Sequence, residues 1–152
     1  MAQGEADLLR LLHSTENSFV ERKTIGDSRD WVKTVVAFAN TLTPDQEGIL
    51  FIGAKDNGEI EEKTNNLDTV QKTLSEKLKA AYPPIYYTTR IVQENYRERL
   101  AVIIPGSSER PHFAGPAFLR DGSQTFEATS VQYESLIASR LGKAYELQKI
   151  AG

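Results

Sequence analysis

The sequence contains no cysteine. Disulfides and thiolate metal sites are therefore excluded, and a reducing compartment is compatible. Histidine is nearly as scarce, with only His13 and His112. That disfavours a histidine-rich zinc site, so any metal would be a hard cation held by carboxylates. No stretch approaches the roughly 20 apolar residues of a membrane span. The opening "MAQGEADLLRLLHS" carries acids where a signal peptide has its apolar run. The expectation is a soluble, cytoplasmic protein with no membrane partner. A phosphate loop of the G-x-x-x-x-G-K type is absent. So is an excess of positive charge: the formal net charge is -3. This counts against a small dedicated nucleic-acid binder but leaves room for a local basic patch.

What is present suits one domain. A chain of 152 residues can bury roughly 70% of its unfolded surface without staples. Leu8, Leu11 and Leu12 form one stripe of a first helix over 5–13. "SFVERK" reads as a strand. A second helix follows in "GDSRDWVKTVVAFAN", with Asp27 or Ser28 as cap and Trp31, Val32, Val35, Phe38 and Ala39 as its apolar stripe. "ILFIGA" is a short apolar run, expected as a central strand buried on both faces. Asn57-Gly58 signals a hairpin. Leu67, Val70, Leu74, Leu78 and Ala81 mark a third helix, stopped by Pro83 and Pro84.

"IYYTTRIVQ" and "ERLAVIIP" flank a polar hairpin tip, and "AFLRDGSQTFEA" reads as two short strands around Asp121-Gly122. Thr129 and Gln132 can form a capping box for a last helix that ends before Gly142. Helices and hairpins interleave without regular alternation. This predicts an α+β single domain over 1–142, with a mixed, mainly antiparallel sheet and packed helices. Residues 143–152 are expected to be a tail.

Chemistry concentrates in three places. Glu21 and Lys23 share a strand face because side chains alternate with period two. Glu16 can fold back beside them, and Asp56 ends the buried strand. If strands 18–23 and 49–54 are neighbours, Glu16, Glu21 and Asp56 converge at one sheet end. Three carboxylates beside a lysine suit Mg²⁺ or Mn²⁺. Spacing alone also allows an edge-strand ion pair of Glu21 and Lys23, a solvated loop acid at Glu16 and an ordinary turn aspartate at Asp56. Arg110, His112 and Arg120 are cations near Gly122-Ser123, where amides and hydroxyls can hold phosphate; a polar surface loop is the alternative. Tyr86, Tyr87 and Tyr96 could stack on bases while Arg90, Arg97 and Arg99 bind a backbone, or they are simply strand formers at a hairpin.

"ENSFVERK", "VVAFANT", "GILFIGAKDNGEI", "YPPI", "LAVIIPGSSERPHF" and "FLRDGSQTFEAT" occur in an order that resembles the Schlafen AlbA-type domain, once described as a divergent AAA domain. The resemblance covers roughly residues 8–140. It implies a Schlafen-core-like α+β fold and association with nucleic acid, RNA before DNA. It also implies metal-dependent endoribonuclease chemistry on Glu16, Glu21 and Asp56 with Lys23, using Mg²⁺ or Mn²⁺. The "RPH" and "GSxT" elements fall on Arg110-Pro111-His112 and on Gly122, Ser123 and Thr125, while Lys55 could bind phosphate or weaken metal binding by its charge. Three features depart from the family pattern: Arg22 in place of an apolar residue, Lys55 in place of an acid, and an expanded loop before Gly48. A single-domain chain would have to form a homodimer to build the groove that paired domains enclose. A binding module without catalysis and a protein-interaction scaffold are the two alternatives.

Overall fold

A computed structural model describes residues 4–14, 16–54, 67–94, 97–114 and 118–138. Four strands form the main sheet: β1 (Val20–Lys23), β2 (Glu47–Ile52), β3 (Thr88–Glu94) and β4 (Arg97–Pro105). Their order is β1-β2-β4-β3. β1 runs parallel to β2, with Glu21 opposite Leu50, and the other two pairings are antiparallel. The sheet is thus mixed and mainly antiparallel, and the fold is α+β, as the element order predicts. β3 begins at Thr88, later than the tyrosine-rich run that precedes it suggests.

Period-two alternation divides the sheet into two cores. Leu50, Ile52, Leu100, Val102 and Ile104 face helices α2 (Ser28–Thr41) and α3 (Leu67–Leu78). Ile49, Phe51, Ala101 and Ile103 face the opposite way, where Leu8 and Leu12 of α1 (Glu5–Leu12) cover them. β2 and β4 are central, so both faces of each strand are covered and both read as nearly continuous apolar runs. Gly48 is required by this packing. A Cβ there would collide with the Phe38 ring, which is why β2 carries a glycine directly after the expanded loop.

The sequence marks one apolar stripe on α2, but the helix is buried on two sides. Every residue from Thr34 to Asn40 is buried. The second side is covered by a separate hairpin of β5 (Phe118–Asp121) and β6 (Gln124–Glu127). Val36 and Ala37 pack with Phe118 and Ala81. Gly122, at φ 58°, makes the hairpin's turn. A final helix, α4, is described over 130–138. Its capping box forms as expected: the Thr129 N–H donates to Gln132 Oε1 at 2.9 Å, and the Gln132 N–H donates to Thr129 Oγ1 at 3.2 Å. No helix among the described residues is long and apolar enough to cross a membrane. The expected Asn57-Gly58 hairpin, Gly142 and the proposed tail lie outside the described residues.

Candidate functional site

β1 is an edge strand, yet three of its four residues are buried. Alternation explains how. Val20 and Arg22 point under α1, where the Arg22 guanidinium donates to the Leu12 carbonyl at 3.1 Å and to the Ser14 carbonyl. Arg22 thus satisfies carbonyls left open at the end of α1. Glu21 points to the other face, where Arg120 of β5 meets it.

The Arg120 guanidinium donates to Glu21 Oε2 at 2.8 Å, with both side chains almost fully buried. It also donates to Thr125 Oγ1 at 3.1 Å and to the carbonyls of Asn17 and Val20 at 3.0 and 3.2 Å. Its plane lies 4.9 Å from the centroid of the Phe38 ring. Arg120 therefore faces inward and ties the hairpin to β1. This corrects the expectation of a surface phosphate ligand. The reason is strand alternation, since Phe118 and Arg120 share the inward face of β5.

Glu16 does fold back beside Glu21. The Arg22 backbone N–H is shared between Glu16 Oε2 at 3.0 Å and Glu21 Oε1 at 3.3 Å, so the two carboxylates reach one amide. The Lys23 ammonium lies 4.0 Å from Glu21 Oε1. Together with Ser123 and Thr125 these three residues line one cleft of about 370 Å³. Five of the predicted residues, brought in from separate segments, thus share a surface. The cleft also takes Asp30, Lys33 and Thr34 from α2. Asp30 is an acid in the first turn of α2. The i, i+3, i+4 spacing of these three was the signal that they share a helix face.

Arg110 and His112 are elsewhere. Arg110 donates to the carbonyls of Asn40 and Leu42 at 3.2 Å each, at the far end of α2. His112 is buried, its ring between the Pro83 carbonyl at 2.7 Å and Ser107 Oγ at 2.6 Å. Asn40 holds the arrangement together. Its amide donates to the His112 and Phe118 carbonyls and its oxygen accepts the His112 N–H. The "RPH" element therefore closes a helix end and anchors a loop.

Arg99 follows the alternative reading: it stands in the β3–β4 hairpin, opposite Val92, and is fully buried. Glu94, 3.7 Å away, is its ion-pair partner, and Glu94 also meets His13 at 2.9 Å. Burial pushes the Arg99 guanidinium below its ordinary pKa. Lys55, Asp56 and Tyr96 lie outside the described residues.

Two carboxylates converge in the cleft, and Asp56, the third acid of the expected set, lies outside the described residues. Among them no group of three or more His, Cys, Asp or Glu gathers. Glu16 and Glu21 are balanced by Arg120 and Lys23, and Asp30 pairs with Lys33 at 3.8 Å.

The fold and cleft define a class: a small α+β domain whose mixed-charge cleft lies between an edge strand, a helix and a covering hairpin. The chain belongs to the Schlafen, AlbA_2 family, whose profile matches residues 16–129. No curated protein matches it. Among solved structures it is similar to the N-terminal domain of a protein related to the ATP-dependent DNA helicase RecG, from Nitrosomonas europaea. That match has a TM-score of 0.59 at 23% identity and covers 85% of this chain and 92% of the other. It is also similar to the DIP2311 protein from Corynebacterium diphtheriae, with a TM-score of 0.58 at 13% identity over 89% of this chain. This chain spans about a third of that protein, since the match covers 32% of it. At these identities the likeness is one of fold.

Proposed function

We propose that the chain is a nucleic-acid-binding domain, directed to RNA, that binds through the cleft of Glu16, Glu21, Lys23, Lys33, Ser123 and Thr125. The observation that carries the reading is the mixture of groups on that one surface. Lysines and hydroxyls suit phosphate oxygens. Carboxylates repel phosphate but accept hydrogen bonds from base amino groups and from the 2′-hydroxyl that distinguishes RNA. A ligand carrying both kinds of group fits; a simple anion does not. Family membership and the helicase-related relative support the same class.

Fluorescence anisotropy with a labelled single-stranded RNA and its DNA counterpart tests this. Wild type should bind RNA more tightly at low salt. Lys23→Ala should weaken binding and reduce the salt slope by about 0.7. Equal affinity for the DNA would remove the RNA preference, and no binding of either at roughly 50 mM salt would remove the function.

Metal-dependent endoribonuclease activity is a second reading, favoured by the meeting of Glu16 and Glu21 at one amide. Incubation of structured RNA with Mg²⁺ or Mn²⁺ checks it. Identical product patterns from wild type and Glu16→Gln would show that these carboxylates do not cleave. A homodimer that sets two clefts around one strand is the matching assembly, and sedimentation equilibrium with and without RNA reports it.

A further inference from the structure

We infer that the cleft is one half of a longer groove, and that a second nucleotide-binding subsite lies across the first turns of α2. The inference rests on the nucleic-acid reading above and extends it. A second cavity of about 500 Å³ adjoins the first, and Lys33 lines both. Arg29 and Lys33 stand one helical turn apart on α2, and Lys77 faces them from α3. Among the described residues neither Arg29 nor Lys77 makes an ion pair.

Between these cations the surface is apolar, formed by Val32, Ala80 and Ala114 with the nearly buried Phe118 beneath them. Lys33 sits 5.9 Å above the Phe118 ring, which places its ammonium at the boundary of the two cavities. Two acids also line this second cavity. Glu76 is paired outward with Lys79 at 3.3 Å, and Glu127 lies on β6.

The chemistry selects the ligand. An inorganic anion has no use for the apolar floor. A purely apolar ligand leaves three cations unused. A nucleotide places a base face on the floor and its phosphate among the cations, and the carboxylates accept its amino groups. Because Lys33 belongs to both cavities, a phosphate held there joins a nucleotide in the first cleft to one in the second. The occupant is therefore single-stranded nucleic acid spanning both, with Lys33 at the linking phosphate.

Anisotropy with single-stranded RNA of two and of eight nucleotides, on the full chain, tests this. Arg29→Ala/Lys77→Ala should weaken octamer binding roughly five- to fiftyfold at 50 mM salt and lower its salt slope by about 1.4, two phosphate contacts' worth. Dimer binding should change less than twofold. Both side chains are at least partly exposed, so an unchanged melting temperature should accompany the loss. If Lys23→Ala weakens binding while the double variant binds both lengths like wild type, the second subsite is wrong and the first stands. If wild type binds neither RNA, both readings fall. If poly-glutamate displaces the octamer as well as unlabelled RNA of equal charge, the groove is only a cationic surface and the nucleotide subsite is refuted.

Discussion

The pair between Glu21 and Arg120 should behave as a structural unit, and its energetics can be worked from its surroundings. Replacing Arg120 by Leu removes the 2.8 Å bond to Glu21, the bond to Thr125, two bonds to backbone carbonyls and the stacking on Phe38. It leaves a nearly buried carboxylate with Lys23 at 4.0 Å and one amide as compensation. Removing one partner of a buried pair costs about 3–5 kcal/mol. Glu21→Gln should cost less, about 1–3 kcal/mol, because the guanidinium keeps its carbonyl, hydroxyl and ring partners and loses only the opposing charge. In the double variant no unpaired buried charge remains on either side. Its loss should fall short of the sum of the single losses by about 2–3 kcal/mol. Urea unfolding of the four proteins at pH 7 measures this as shifts in midpoint at constant slope. For a domain of this size 3 kcal/mol corresponds to a fall in melting temperature of roughly 6–12 °C. Single losses that add to within about 0.5 kcal/mol would refute the coupling, and Arg120 would then act independently of Glu21.

Other outcomes follow from the packing. Arg99→Met should be neutral or stabilising by about 1–2 kcal/mol, because the buried Arg99 nitrogens have no hydrogen-bond partner among the described residues and an apolar chain removes that cost; a loss above about 1 kcal/mol in urea unfolding would show that the ion pair to Glu94 outweighs it. Gly48→Ala should destabilise by about 1–3 kcal/mol, since its Cβ meets the Phe38 ring, and calorimetry showing a raised melting temperature would contradict this. Asn40→Ala removes three hydrogen bonds to buried backbone groups and should cost about 2–4 kcal/mol; hydrogen exchange should show faster amides at His112 and in β5, and unchanged protection there would argue against Asn40 as the anchor.

Much of the fold was legible because it rests on local periodicity. The apolar run in "ILFIGA", the Leu67–Leu78 stripe, the Gly122 turn and the Thr129–Gln132 box are each set by residues within a few positions of one another. The acidic wall was legible in part for the same reason. Glu21 and Lys23 stand two apart on a strand, and Glu16 is close enough in sequence to return to them. The cations were misjudged because a positive charge in a loop-rich stretch looks solvated. Whether Arg99, Arg110 or Arg120 meets water or carbonyls depends on what packs above it.

The sequence by itself determined most of the elements and the side of each strand on which a residue falls, and it allowed Glu16 to meet Glu21. Periods of 2 and 3.6 are properties of the backbone and need no partner. Only the tertiary structure decided that Arg120, 99 positions from Glu21, would neutralise it, and that α2 would contribute Asp30, Lys33 and Thr34 to the cleft. Both depend on the β5–β6 hairpin packing on the second side of α2. That placement is settled by burial of Phe118 against Val36 and Ala37, an interaction between distant segments with no local pattern to announce it.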